Sequence, residues 1–121
     1  MIQSKVYSLS AGDFNVRYAG KQSNPLLIFL HGFPEAAFSW DFYLKYFSEK
    51  GFFCLAPDQR GYNQSCKPEG IKNYTIDKLS KDVVELAEKA GQKEFFLVGH
   101  DWGAAVAWDT AIRYPELVKK L

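Results

Sequence analysis

Hydrophobic positions along the chain recur with three different spacings. Val6-Tyr7-Ser8-Leu9 and Phe14-Asn15-Val16-Arg17-Tyr18 alternate apolar with polar residues on either side of Ala11-Gly12-Asp13. A period of two belongs to a strand with one covered face, so this segment predicts an antiparallel hairpin of outer strands. Leu26-Leu27-Ile28-Phe29-Leu30 is apolar without a break. That is the pattern of a strand with helices on both faces, and hence of a central parallel strand. After the loop His31-Gly32-Phe33-Pro34-Glu35, the residues Trp40, Leu44 and Phe47 recur at helical spacing until Gly51, which closes the helix.

The same alternation of strand and helix continues. Phe52-Phe53-Cys54-Leu55-Ala56 predicts a second buried strand, ending at Pro57-Asp58-Gln59-Arg60-Gly61-Tyr62. A polar loop leads to Thr75, an expected N-cap, after which Ile76, Leu79, Val83, Leu86 and Ala90 form one apolar helix face closed by Gly91. The intervening Asp77, Lys78, Lys81, Asp82, Glu85 and Glu88 are expected to be a solvated face. Phe95-Phe96-Leu97-Val98 predicts a third buried strand. The last helix runs from about Trp102 to Tyr114, with Gly103, Ala104, Ala105 and Ala107 small enough to approach the sheet closely, and Pro115 ends it. Three strand-helix alternations after an antiparallel opening imply an α/β sheet with right-handed crossovers, in one domain covering residues 1–121.

Composition narrows the picture without changing it. With 121 residues, 47% hydrophobic and 17% aromatic, the chain suits one core burying about 60 to 70% of its unfolded surface. A net charge of +1 gives no sign of a nucleic-acid partner. The run from Leu26 to Leu30 is far short of the ~20 residues that span a bilayer, and the first ten residues lack a basic segment followed by an apolar one. A soluble cytoplasmic protein, not membrane-bound or secreted, is the expectation. Cys54 and Cys66 form no Cys-x-x-Cys pattern, so two reduced thiols are expected, with no disulfide, no metal site and no cofactor.

The candidate chemistry lies where strands end. Gly99-His100-Asp101-Trp102-Gly103 joins an apolar strand to an Ala-rich helix. Its Gly-x-Asp-x-Gly spacing is that of a nucleophile elbow, in which a strained residue needs small neighbours two before and two after it. The nucleophile would be Asp101. With a reference pKa of about 3.9 it is already a carboxylate near neutral pH, and a carboxylate attacking saturated carbon yields an ester. That chemistry suits an epoxide or a carbon-halogen bond. The alternative is that Gly99 and Gly103 only let a helix pack on a sheet and Asp101 is its N-cap. Ligands of such sheets bind at the carboxyl ends of parallel strands, and all three glycine-containing motifs fall there, which favours an enzyme.

Together, His31-Gly32-Phe33-Pro34-Glu35, Asp58-Gln59-Arg60-Gly61-Tyr62 and Gly99-His100-Asp101-Trp102-Gly103 resemble the α/β-hydrolase superfamily. The likeness is to the amino-terminal half of its Asp-nucleophile branch, the soluble epoxide hydrolases and haloalkane dehalogenases. Phe33 and Trp102 fit the epoxide hydrolases, since dehalogenases more often carry Asn at the first position and fluoroacetate dehalogenases Arg at the second. The resemblance implies Asp101 as nucleophile and the backbone N–H groups of Phe33 and Trp102 as oxyanion hole. It implies Trp102, Phe33 and Pro34 as substrate-binding residues, and a cis peptide before Pro34. It also implies that His31 shapes its loop, that Asp58 and Arg60 anchor a turn, that His31 and His100 are not the catalytic base, and that Tyr62 and Tyr74 are not the family's proton-donating pair.

In the family, the later chain supplies a cap domain, an acidic partner and the catalytic histidine, whereas this sequence ends at Leu121. The expectation is therefore a partial core that stops before the later strands and cap, performing ester formation but not turnover. Residues 95–98 would be an exposed apolar edge that pairs with a complementing carboxyl-terminal half or with another copy. The expected ligand is a small-molecule epoxide or alkyl halide. A dehalogenase, or a catalytically inactive module that binds a partner through its open edge, are the alternatives.

Overall fold

The computed structural model describes residues 1–121. Six strands form one mixed sheet: β1 (Gln3–Leu9), β2 (Gly12–Ala19), β3 (Leu26–Leu30), β4 (Phe53–Pro57), β5 (Phe95–Gly99) and β6 (Val118–Lys120). Three helices connect them: α1 (Asp41–Glu49), α2 (Ile76–Lys89) and α3 (Trp102–Arg113). Strand order is β1-β2-β4-β3-β5-β6. The hairpin β1/β2 and the pair β2/β4 are antiparallel, and β4, β3, β5 and β6 run parallel. The hairpin is longer than its alternation suggests, because Leu9 pairs directly with Gly12 and moves the turn to Ser10 and Ala11. Ahead of α1, Ala37–Trp40 form a separate 3-10 turn that shares the helical spacing.

The continuous apolar runs are double-faced, as their lack of period requires. Every residue of β3 and of β4 is buried. On one face, Leu26, Ile28, Leu30, Leu55, Phe95 and Leu97 meet Leu79, Val83 and Leu86 of α2 and Val106 and Ala107 of α3. On the other, Leu27, Phe29, Cys54 and Ala56 meet Ala37 and Leu44. Leu44 is the one fully buried side chain of α1, and its transfer from water contributes about 2 to 3 kcal/mol. Burial inside the sheet also pushes the Cys54 thiol up to about 12.

Two expectations are corrected, and a third holds in position without the side-chain bond. The edge beyond β5 is not bare: after α3, a turn in which Leu117 N–H donates to Tyr114 O brings Leu117 O onto Phe95 N–H at 2.9 Å. Residues 118–120 then pair with Phe95 and Phe96. Unpaired strand amides find a backbone partner here although β6 is short and lysine-rich. Only Leu97, Val98 and Gly99 stay open, with Ala104, Ala107, Trp108 and Leu121 around a groove of about 270 Å³. Asp82 is not solvated but 9% exposed, because Arg60 Nε and Nη2 reach its two oxygens at 2.8 and 2.7 Å. Thr75 takes the N-cap position of α2 without a side-chain bond to the helix amides; its carbonyl accepts from Lys78 and Leu79 instead.

Candidate active site

The chain leaves β3 through α1 to β4 on one side, then returns through α2 to β5 on the other side. The order of strands therefore reverses at β3, and a crevice opens beyond the carboxyl ends of β3 and β5. Leu30 pairs with Gly99 at that end. His31, Gly32 and Phe33 thus emerge beside His100, Asp101 and Trp102.

Close backbone approach shapes the turn at Asp101. A Cβ on Gly99 would lie 2.4 Å from Gly103 O, and one on Gly103 only 2.2 Å from Leu30 O. Neither position admits a side chain without moving backbone. Between them Asp101 adopts φ 58° and ψ −123°, an uncommon conformation for a residue with a side chain. Asp101 occupies the N-cap position of α3, but its carboxylate makes no capping bond to the helix amides. Instead it faces the crevice, where Phe33 N–H donates to Oδ2 at 3.1 Å. Oδ1 accepts no hydrogen bond from the protein. The amides of Trp102 and, across the crevice, Phe33 hold the carboxyl below its usual 3.8, so the group is a carboxylate at any pH near neutral.

Behind this opening lies a fully bonded scaffold. His31 is buried; its Nδ1–H lies 2.9 Å from Gly32 O, and its Nε2 accepts from Gln59 N–H at 3.0 Å. That pair of partners selects the neutral tautomer, and burial lowers the imidazole below its usual 6.5. Gln59 Nε2 returns a bond to His31 O at 2.8 Å. Asp58 is also buried, with Oδ1 accepting from Ala37 N–H at 2.8 Å and Oδ2 from the side-chain amides of Asn15 and Asn63, each at 3.0 Å. Arg60 Nη1 donates to Asn73 O at 2.6 Å, and the bond to Asp82 holds its guanidinium further above its usual value. Asp58 and Arg60 therefore anchor the turn at residues 58–62 and do not reach the crevice. Tyr74 packs over Gly61, where an added Cβ would lie 2.7 Å from its ring.

Around Asp101, Phe33 and Trp102 are 60% and 40% exposed, Pro34 is exposed, and the Phe33–Pro34 peptide is cis. Two neighbours have contacts that the sequence did not foretell. Glu35 Oε1 accepts from Gly32 N–H at 3.3 Å and lies 3.6 Å from His100 Nδ1. The Tyr62 ring stands edge-on to both His31 and Phe33, at centroid distances of 4.7 and 6.4 Å. Both residues belong to the motifs already noted, but only the pairing of strands shows what they touch. No cluster of three His, Cys, Asp or Glu side chains is arranged to hold a metal ion, and no helix is long and apolar enough to cross a membrane.

Comparison with known proteins agrees with this fold. The family described as alpha/beta hydrolase fold matches over residues 25–121. Epoxide hydrolase 1 of Caenorhabditis elegans is 48% identical over 102 residues, which are 84% of this chain and 25% of that protein. An AB hydrolase superfamily protein of Bacillus subtilis is 45% identical over 88% of this chain and 37% of its own length. Among solved structures, epoxide hydrolase A from Mycobacterium thermoresistibile superimposes with a TM-score of 0.93 at 36% identity, over 98% of this chain and 37% of that one. The chain thus spans between a quarter and two fifths of the length of these relatives.

Proposed function

This chain belongs to the alpha/beta hydrolase fold family, of which it forms the amino-terminal portion, and we propose that it carries the ester-forming half of an epoxide hydrolase reaction. One observation carries the reading: a carboxylate at the strand-order reversal with Oδ2 bonded to Phe33 N–H and Oδ1 unclaimed. Oδ1 attacks the less hindered epoxide carbon. The C–O bond of the ring breaks, its electron pair stays on the ring oxygen, and that oxygen takes up a proton from solvent water. Asp101 is left as a hydroxyalkyl ester whose carbonyl oxygen, Oδ2, already accepts from Phe33 N–H. In this reading the turn is a nucleophile elbow and the Phe33 and Trp102 N–H groups are an oxyanion hole, aimed at the charge that develops when water attacks the ester carbonyl. Collapse of that species would release a vicinal diol and regenerate Asp101 only where a base activates the water, so with these 121 residues the ester is expected to persist.

Neither histidine of these 121 residues is the base for that water in this reading. Both ring nitrogens of His31 are engaged, and His100 turns Nδ1 to Glu35. The exposed Phe33, Pro34 and Trp102 side chains support an apolar substrate.

Intact-mass spectrometry after incubation with a small aryl epoxide tests the reading. The chain is expected to gain one substrate mass, and the Asp101→Asn variant none. A folded wild-type chain that gains no mass would sink it. Halide release from an alkyl bromide, without any epoxide adduct, would replace it by dehalogenation.

A further inference from the structure

We propose that Tyr62 is a positioning residue for ester formation, holding the Phe33 amide on Asp101 Oδ2 through the two residues its ring touches. The inference rests on the reading of Asp101 as nucleophile. Phe33 sits at the crest of an exposed loop, with its ring 60% in solvent. Within the loop, Glu35 N–H donates to Gly32 O at 2.8 Å and Gly32 N–H donates to Glu35 Oε1 at 3.3 Å. These bonds close the turn from within the loop, and Tyr62 packs against it from outside. Its ring meets His31 at 4.7 Å, at an interplanar angle of 76°, and Phe33 at 6.4 Å and 88°, edge-to-face arrangements in which ring quadrupoles attract. His31 and Phe33 flank Gly32, so one side chain fixes both ends of the peptide pair that presents the amide.

Tyr62 is itself anchored. Its N–H donates to Gln59 O at 2.9 Å and its carbonyl accepts from Ser65 N–H at 3.1 Å. Gln59 in turn is bonded twice to His31. The phenol is raised above its ordinary value, first by burial and then by the Asp101 charge. It stays protonated near neutral pH and adds no negative charge beside the nucleophile. A ring that only walled a substrate pocket would alter how tightly substrate binds; a ring that aims the amide alters the rate once substrate is bound.

The test measures single-turnover ester formation by the whole chain against aryl epoxide concentration, for wild type, Tyr62→Phe and Tyr62→Leu. Tyr62→Met serves as a second ring-less variant should the Leu variant not fold. The maximal rate is expected to fall about tenfold in the ring-less variants, with the half-saturating concentration unchanged, and to be kept in Tyr62→Phe, because misaimed groups lose rate rather than affinity. A second readout is independent of activity. The Phe33 amide proton resonance should shift when Asp101 is replaced by Asn in the wild-type and Tyr62→Phe backgrounds, and stay still in the ring-less ones. An unchanged maximal rate, a loss confined to half-saturation, or a Phe33 shift that survives removal of the ring would each overturn the proposal. If the wild-type chain forms no ester, the nucleophile reading fails by itself and the amide readout alone decides what Tyr62 holds.

Discussion

Asp58 and Asp101 occupy equivalent places, each just past the carboxyl end of a parallel strand and each in a glycine-containing motif, yet their surroundings differ in every respect that matters to chemistry. Asp58 is wholly buried and both its oxygens are taken, by Ala37 N–H and by the amides of Asn15 and Asn63. Asp101 is exposed, and its one accepted bond from across the crevice, from Phe33, leaves Oδ1 open. Donors that satisfy a carboxylate turn it into a structural joint; donors that stop at one oxygen aim the other. Motif spacing alone does not separate the two cases, because the difference lies in how many donors the fold brings to each.

Exchanging the roles is the most direct way to break this contrast. Asp101→Asn should abolish the covalent adduct completely while leaving the urea midpoint where it was, since the Asn oxygen still accepts from Phe33. Asp58→Ala should do the opposite in kind. It strands three donors around a buried site and is expected to cost about 3 kcal/mol or more, read by urea denaturation. Whatever folded fraction remains should still form ester. Asn63→Ala removes one of those three donors and should cost about 1 kcal/mol by the same measurement; a cost equal to that of Asp58→Ala would show that the turn, not the carboxylate, carries the stability.

Acidity gives the smallest and sharpest separation. Because its amides hold Asp101 below 3.8, the rate of ester formation should be flat from neutrality down to pH about 5; a decline beginning near pH 6 would contradict the assignment. The scaffold behind Asp58 should respond first. Neutral His31 has a folded pKa lowered from 6.5 by burial, so between that lowered value and 6.5 the unfolded chain binds the extra proton. Its stabilising contribution is complete above 6.5 and is lost as pH falls toward the folded value, and it should vanish from the pH profile of His31→Gln.

Much of this was legible in one sequence, for reasons that differ by element. The unbroken apolar runs of β3, β4 and β5 left little alternative to a covered parallel sheet, and the flanking glycines marked where its strands end. Gly99 and Gly103 announced a close approach that the backbone distances bear out. What escaped notice depends on partners distant in the chain. β6 is too short and too rich in lysine to show a strand period, and it forms because β5 offers it free amides. Asp82 reads as surface until Arg60, 22 residues away, comes to meet it. From sequence, Tyr62 is set aside as a proton donor and given no other role, because nothing local says that its ring will find His31 and Phe33.

The bond between Phe33 and Asp101 joins residues 68 positions apart, whereas the hairpin β1/β2 closes on itself within a few residues. Loop-closure entropy makes such long-range pairings late events in folding. Before β3 and β5 have paired, Asp101 is an ordinary acid on a flexible chain, without the amide that aims it. The proposed ester formation would therefore also be a folding clock: a pulse of epoxide during refolding is expected to mark only the molecules whose central strands have already docked.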